Sequence, residues 1–313
     1  MILLISGILA FSFFTVNILH WIFLNTYKVK FSPKDYGLNS WAVITGASDG
    51  LGKGFAHVLA KYKFKICLVA RNLEKLETVK KSILEKSPNT EIKCVVADFK
   101  ESLKDGFYEK IQEQLKSLNI SMLINNVGVA SLSYFHETPE DVVDDLLTVN
   151  IFPQTLLTRK LIHQLLSRTK DNKFKSAVIN VSSMAGTKPI PYDTLYSATK
   201  ALNDFFSRAL SIEFRQKIDF ISLRPFWVST PMAFDRKPGF DTITPKECAE
   251  GCLKDLGNKN YTWGHFKHEA QGILFHWLPE WTVLFVLRFV GPLMAKEREM
   301  NEREYLLKRK IQS

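Results

Sequence analysis

Cysteine is scarce: four residues in 313, with no CxxC and no histidine placed beside them. That excludes a disulfide scaffold and a thiolate zinc site, and no metal is expected. Cys248 and Cys252, one helical turn apart, read as ordinary thiols of a reducing compartment. Internal repeats and low-complexity tracts are missing. Acidic residues are the minority, 32 Asp and Glu against 42 Lys and Arg, a formal charge of +10. Such a balance favours phosphate-bearing ligands or an anionic membrane surface over acidic partners. The basic residues form no stripe interleaved with aromatics, so nucleic acid is not an expected partner.

Charge is absent altogether between Ile2 and Leu24. At about 1.5 Å per residue this apolar run crosses a bilayer core, and no basic stretch precedes it as in a signal peptide. Residues 1–27 are therefore expected to be a transmembrane anchor, and 28–39 a linker. Trp21 and Tyr27 suit the headgroup boundary, and Lys28, Lys30 and Lys34 keep the rest of the chain in the cytosol by the positive-inside rule.

What is present next is a strand–turn–helix pattern. Trp41 to Thr45 is apolar and strand-like; Gly46, Ala47, Ser48, Asp49, Gly50, Leu51 and Gly52 follow, then an amphipathic run to about Lys63. The glycines let the backbone turn and approach a pyrophosphate, which the N-terminus of a helix attracts. A second strand, Lys65 to Ala70, completes the βαβ context and ends in Arg71. An acidic residue there would bond the ribose 2'-hydroxyl of NAD, whereas Arg71 pairs with the 2'-phosphate of NADP, so NADPH is the expected cofactor. Helices and strands continue to alternate through Glu91 to Ala97, Ser121 to Ile124 and Ala177 to Val181. The expected fold is α/β, a doubly wound Rossmann-type parallel sheet in a single domain.

The strand Ala177 to Val181 runs into Ser182 and Ser183, and thirteen residues after Ser183 comes Tyr196, with Lys200 four further on. On one helix face an ammonium four residues from a phenol favours the phenolate, and the expectation is a lowered Tyr196 pKa suited to acid–base work. Strand ends in open α/β sheets are where ligands bind, which brings Ser183 to the same place.

With TGASDGLG, NNVG, NVSS and YSATK in this order, the chain resembles a short-chain dehydrogenase/reductase from about Ser40 to Met232. The resemblance implies that Tyr196 is the general acid, that Ser183 bonds the same substrate oxygen, and that Lys200 holds the nicotinamide ribose. It implies that Asn150 holds a water in the proton relay, that Asp98 contacts adenine, and that Asn126 and Gly128 line the cofactor. The stretch from Arg224 to Thr230, with Val228 and Thr230, resembles the nicotinamide-contacting segment, although Phe226 stands where many members have Gly.

The anchor, the Arg71 strand end and the extended C-terminus resemble the membrane-bound branch of 17-beta-hydroxysteroid dehydrogenases and very-long-chain 3-oxoacyl-CoA reductases of the endoplasmic reticulum. That implies reduction of a lipid ketone, an acyl-CoA or a steroid, with the membrane, a second copy or elongation enzymes as partners. A retinol-type dehydrogenase and a non-catalytic NADPH-binding adaptor are the alternatives. Phe234 and Phe240, between Thr230 and Pro245, suit a lid over an apolar substrate. In that loop Arg236 and Lys237 are candidates to meet CoA phosphates, the alternative being solvated charges of a loop tip. The Rossmann domain is expected over 40–268, with a last strand near Tyr261 to Phe266. Residues 269–313 are expected to form an apolar membrane-associated segment, broken at Pro279 and Pro292, and a solvated charged helix from Lys296.

Overall fold

The computed structural model describes residues 31–312 apart from 172, and of the first thirty only 7, 11, 12, 15, 16 and 19, all helical; side chains at 302, 303 and beyond 305 are not described. The anchor expected over 1–27 therefore lies largely outside the described residues. The chain from Trp41 builds β1 (Trp41–Thr45), α1 (Gly50–Lys61), β2 (Lys65–Ala70), α2 (Leu73–Leu84), β3 (Ile92–Val96), α3 (Phe107–Leu115) and β4 (Ile120–Asn125). Then come α4 (Glu140–Asn150), α5 (Thr158–Ser167), β5 (Ser176–Val181), α6 (Thr194–Glu213) and β6 (Ile218–Leu223). A short ribbon, β7 (Trp227–Val228) and β8 (Thr242–Ile243), precedes α7 (Pro245–Asp255), β9 (Tyr261–Thr262), α8 (Phe266–Trp277) and α9 (Glu280–Gln312).

Seven strands form one sheet in the order β3-β2-β1-β4-β5-β6-β9, every pair parallel. The strands are short apolar runs because helices cover both faces. All of β1 is buried, and one cluster of apolar side chains lies on each side of the sheet. Strand order reverses between β1 and β4, so the loops after these strands diverge and open a crevice at their C-terminal ends. Asp49 caps α1 by accepting from the Gly50 N–H at 2.7 Å, and α7 opens with a capping box between Thr244 and Glu247.

Two expectations at the C-terminal side are corrected, the length of the last strand and the break at Pro292, while the break at Pro279 is found. The last strand is only Tyr261–Thr262, because Gly264 turns the chain with φ +78. Leu278, held extended before Pro279, ends α8, and the chain bends by 106° into α9. Pro292 does not break α9, which runs on as one helix to Gln312. Among the described residues no single helix is long and apolar enough to cross a membrane, though α8 and α9 pass that test as a bent pair.

Candidate active site

A cleft of about 480 Å³ lies at the strand-order reversal. Every residue expected at the site lines it except Gly52 and Asn150. Its floor is the turn after β1. Gly46 takes φ +62, and a Cβ on Gly52 would run into the Gly46 carbonyl, so only glycine lets helix and turn meet this closely. Asn126 fixes that turn from β4, donating to the Thr45 carbonyl at 2.9 Å and the Gly46 carbonyl at 3.2 Å. Thr230 closes the other side, 3.1 Å from where a Cβ on Gly50 would stand. Ser48, Asp49 and the buried Leu51 complete the turn, and Val228 is buried beyond it. Arg71 is exposed at the rim, and Asp98 accepts from the Lys100 N–H at 3.1 Å. A glycine turn at a helix N-terminus beside a cation fits a dinucleotide.

At the other end of the cleft α6 presents Tyr196 and Lys200. Ser182 and Ser183 are told apart by their bonds. Ser182 is buried and donates to the Lys200 carbonyl at 2.6 Å, whereas the Ser183 hydroxyl lines the cleft near the Tyr196 phenol and accepts from the Ala185 N–H at 3.2 Å. Lys200 is 4% exposed and donates to the Val181 carbonyl at 3.0 Å, with its Nζ 5.6 Å from the Tyr196 ring centroid. Asn150 lies behind Gly128. Its side chain brackets Val129, accepting from the N–H at 2.8 Å and donating to the carbonyl at 3.0 Å, and also reaches Thr199. Its own carbonyl accepts from Asn203. The π-helical turn Pro153–Leu157 follows at once and lets α4 and α5 bend around this point.

The expected lowering of the Tyr196 pKa is not found. Burial pushes the phenol up to about 12, helped by the nearby Asp193 carboxylate and opposed by Ser183 and Arg298. Lys200 is not among the groups that offset this; its ammonium is directed at the Val181 carbonyl, and burial brings its own pKa down to about 8. The phenol therefore stays protonated at neutral pH.

Phe226 lines the cleft, and its ring packs against Trp263 at 5.4 Å and Phe275 of α8 at 6.4 Å. The segment after Thr230 is tied down at several points. Arg236 pairs with Asp241 at 2.7 Å, Lys267 donates to the Gly239 carbonyl at 2.6 Å, and Phe240 points to solvent. Among the cleft residues not anticipated from the sequence are Asp193, and Met294 with Arg298 from α9. The charged run after Lys296 resembled a solvated helix, and Arg298 instead turns inward.

A family model for the short chain dehydrogenases matches residues 40–239, which span the sheet and the cleft. The chain belongs to the short chain dehydrogenase family. As a member it is an oxidoreductase that uses a nicotinamide cofactor. It is 38% identical over 256 residues to a very-long-chain 3-oxoacyl-CoA reductase of Anas platyrhynchos, covering 80% of each chain. It is 37% identical over 286 residues to very-long-chain 3-oxoacyl-CoA reductase-A of Danio rerio, covering 90% of this chain and 84% of that one. Among solved structures, a 3-ketoacyl-(acyl-carrier-protein) reductase from Brucella melitensis complexed with NADH is 27% identical, with a TM-score of 0.58, covering 68% of this chain and 88% of that one. A 7beta-hydroxysteroid dehydrogenase, 23% identical with a TM-score of 0.71, covers 84% of this chain and all of that one and shares the fold.

Proposed function

We propose that this dehydrogenase reduces a 3-oxoacyl-CoA to the 3-hydroxyacyl-CoA with NADPH, the reductive step of very-long-chain fatty-acid elongation. The observation that carries the chemistry is the meeting of Ser183, Tyr196 and Lys200 in one cleft with the glycine turn. The substrate follows from relatives matched over four-fifths of both chains. Arg71 at the rim favours the cofactor with a 2'-phosphate. Bound there, NADPH supplies the hydride. Tyr196 donates its proton to the ketone oxygen, which Ser183 also bonds, and a phenol held protonated near neutral pH is the form that can donate. Lys200 holds the nicotinamide ribose, while Asn150 keeps the loop at Gly128 and Val129 open to the cofactor.

The enzyme works at the endoplasmic reticulum membrane on this reading, with its catalytic domain in the cytosol and residues 1–27 as anchor. Trp281, Phe285, Phe289 and Leu293 of α9 are all exposed, an apolar strip suited to the bilayer boundary. A second copy of the chain or neighbouring elongation enzymes are its partners there.

NADPH oxidation by the full chain in detergent is expected to be faster with a long-chain 3-oxoacyl-CoA than with a 17-ketosteroid. The reverse order overturns the acyl-CoA assignment. Arg71→Asp is expected to shift the ratio of kcat/KM for NADPH over NADH about ten- to hundredfold toward NADH, the worth of the lost charge-assisted hydrogen bonds. An unchanged ratio removes Arg71 from cofactor choice.

A further inference from the structure

The long helix α9 brings a cation into the cleft that also holds Asp193, Tyr196 and Lys200. Met294 and Arg298, one turn apart on α9, line the same cleft as Ser183 and Tyr196. Two fixed contacts seat the helix there. At the bend before α9, Lys188 donates to the carbonyls of Phe275 at 2.6 Å, His276 at 3.3 Å and Leu278. Further along, Gly291 lies so close to the Tyr192 ring that a Cβ would overlap it. Tyr192 is itself braced, with φ +69, its ring edge-on to Tyr134 at 5.0 Å and its carbonyl accepting from the Ser133 N–H at 2.9 Å. The loop that leads into Tyr196 is therefore the same loop that holds α9. Arg298 ends 5.4 Å from the ring of Phe234, which limits the orientation of its guanidinium. Its charge reaches both neighbours, drawing the pKa of Asp193 and of Tyr196 downward.

We infer that Arg298 is a specificity-determining residue that donates to a second carbonyl oxygen of the substrate, the thioester oxygen, while Tyr196 takes the ketone oxygen. This rests on the acyl-CoA reading above. In a 3-oxoacyl thioester the two carbonyl carbons are separated by one methylene, so a ketone oxygen on Tyr196 brings the second oxygen to the adjoining wall. A guanidinium offers several donors in a fixed fork, so Arg298, which lines the cleft together with Asp193, has donors to present to the thioester oxygen. The CoA phosphates lie at the far end of the pantetheine arm, out of reach of a group beside Tyr196. A monoketone has no oxygen at this spacing, and Arg298 then faces it with an unanswered donor, which is how a polar site rejects an analogue.

The test compares a long-chain 3-oxoacyl-CoA with its thioether analogue, in which the thioester carbonyl is a methylene and the ketone is kept. The full chain in detergent is assayed by NADPH oxidation as wild type, Arg298→Met and Arg298→Lys, with NADPH binding followed by fluorescence to verify the cofactor site. Arg298→Met is expected to lower kcat/KM for the thioester about ten- to hundredfold more than for the thioether, and Arg298→Lys to recover part of the difference. Equal losses on both compounds mean a packing role and overturn the inference, as does no loss on either. Wild-type protein that reduces a 17-ketosteroid but neither CoA compound overturns the acyl-CoA reading, and the role of Arg298 with it.

Discussion

Exchange of Tyr196 for Phe is expected to reduce ketone turnover about 10²- to 10⁴-fold while leaving NADPH binding in place. The ring that packs on Ser183 and Lys200 is kept, and only the hydroxyl that donates the proton is lost. Turnover within a few-fold of wild type would remove Tyr196 from the proton step. The pH dependence adds a second, independent reading. With the phenol raised to about 12, Tyr196 stays protonated through the alkaline range, so it does not set the upper limb of the reductive rate. Lys200, brought down to about 8 by burial, does. Reductive kcat/KM is expected to fall as pH rises through about 8, as the ammonium that holds the ribose loses its charge. Asp193 faces the same chamber and its burial raises it to about 7, so it titrates nearby. Asp193→Asn separates the two, and the limb at about 8 should survive in that variant. A limb that disappears with Asp193→Asn instead assigns the titration to the carboxyl.

The sheet was legible in the sequence because a parallel sheet buried on both faces leaves plain marks: short apolar runs such as Trp41–Thr45 and Ser176–Val181, separated by amphipathic helices. The glycine turn and the spacing from Ser183 to Tyr196 were legible for a related reason, since each depends on local geometry within a strand, a turn or a helix. What was not legible depended on pairing across long distances. The spacing to Tyr196 selects Ser183 over Ser182, but only the packing of α6 against β5 shows what Ser182 does instead, donating to the Lys200 carbonyl. The direction of the Tyr196 shift was misjudged because the i, i+4 spacing shows that Lys200 is near without showing that its proton is aimed at Val181. Arg298 was hidden among the mixed Glu, Lys and Arg of a helix whose polar periodicity resembles a solvated face. Its role in the chamber rests on Lys188 and Tyr192, more than a hundred residues earlier in the chain, holding α9 in place.

Asp204→Ala is expected to destabilise the protein by about 3–5 kcal/mol, a drop in Tm on the order of 10 °C. Asp204 is 1% exposed on α6 behind the cleft, and it joins that helix to β6. Arg224 grips it with two bonds, Nε at 2.6 Å and Nη2 at 2.8 Å, while Ser222 donates at 2.7 Å and Arg208 at 2.9 Å. Arg224 is 7% exposed and lies 4.0 Å from the ring centroid of Tyr261, so removing Asp204 leaves a largely buried guanidinium without its carboxylate. The loss should be specific to acid-labile pairing. Burial by itself raises the Asp204 pKa, but the bonds and charges of Arg224, Ser222 and Arg208 outweigh it and hold the carboxyl below its ordinary range. The native carboxylate thus binds a proton less readily than the unfolded chain does. Its stabilisation is complete above the ordinary Asp value of about 3.9 and is lost as pH falls through the lower native value. The gap in Tm between wild type and Asp204→Ala is therefore expected to be constant near neutrality and to narrow in acid. A gap that holds its size down to acid pH would show that Asp204 contributes packing rather than charge, and a negligible gap at neutrality would show that Arg224 finds other partners. Arg224 is followed directly by Pro225 and Phe226, the start of the segment that closes the cleft over Val228 and Thr230. Because the same ion pair fixes α6, which carries Tyr196 and Lys200, its loss should loosen both walls of the active site together, and turnover in Asp204→Ala is expected to fall well below its melting point.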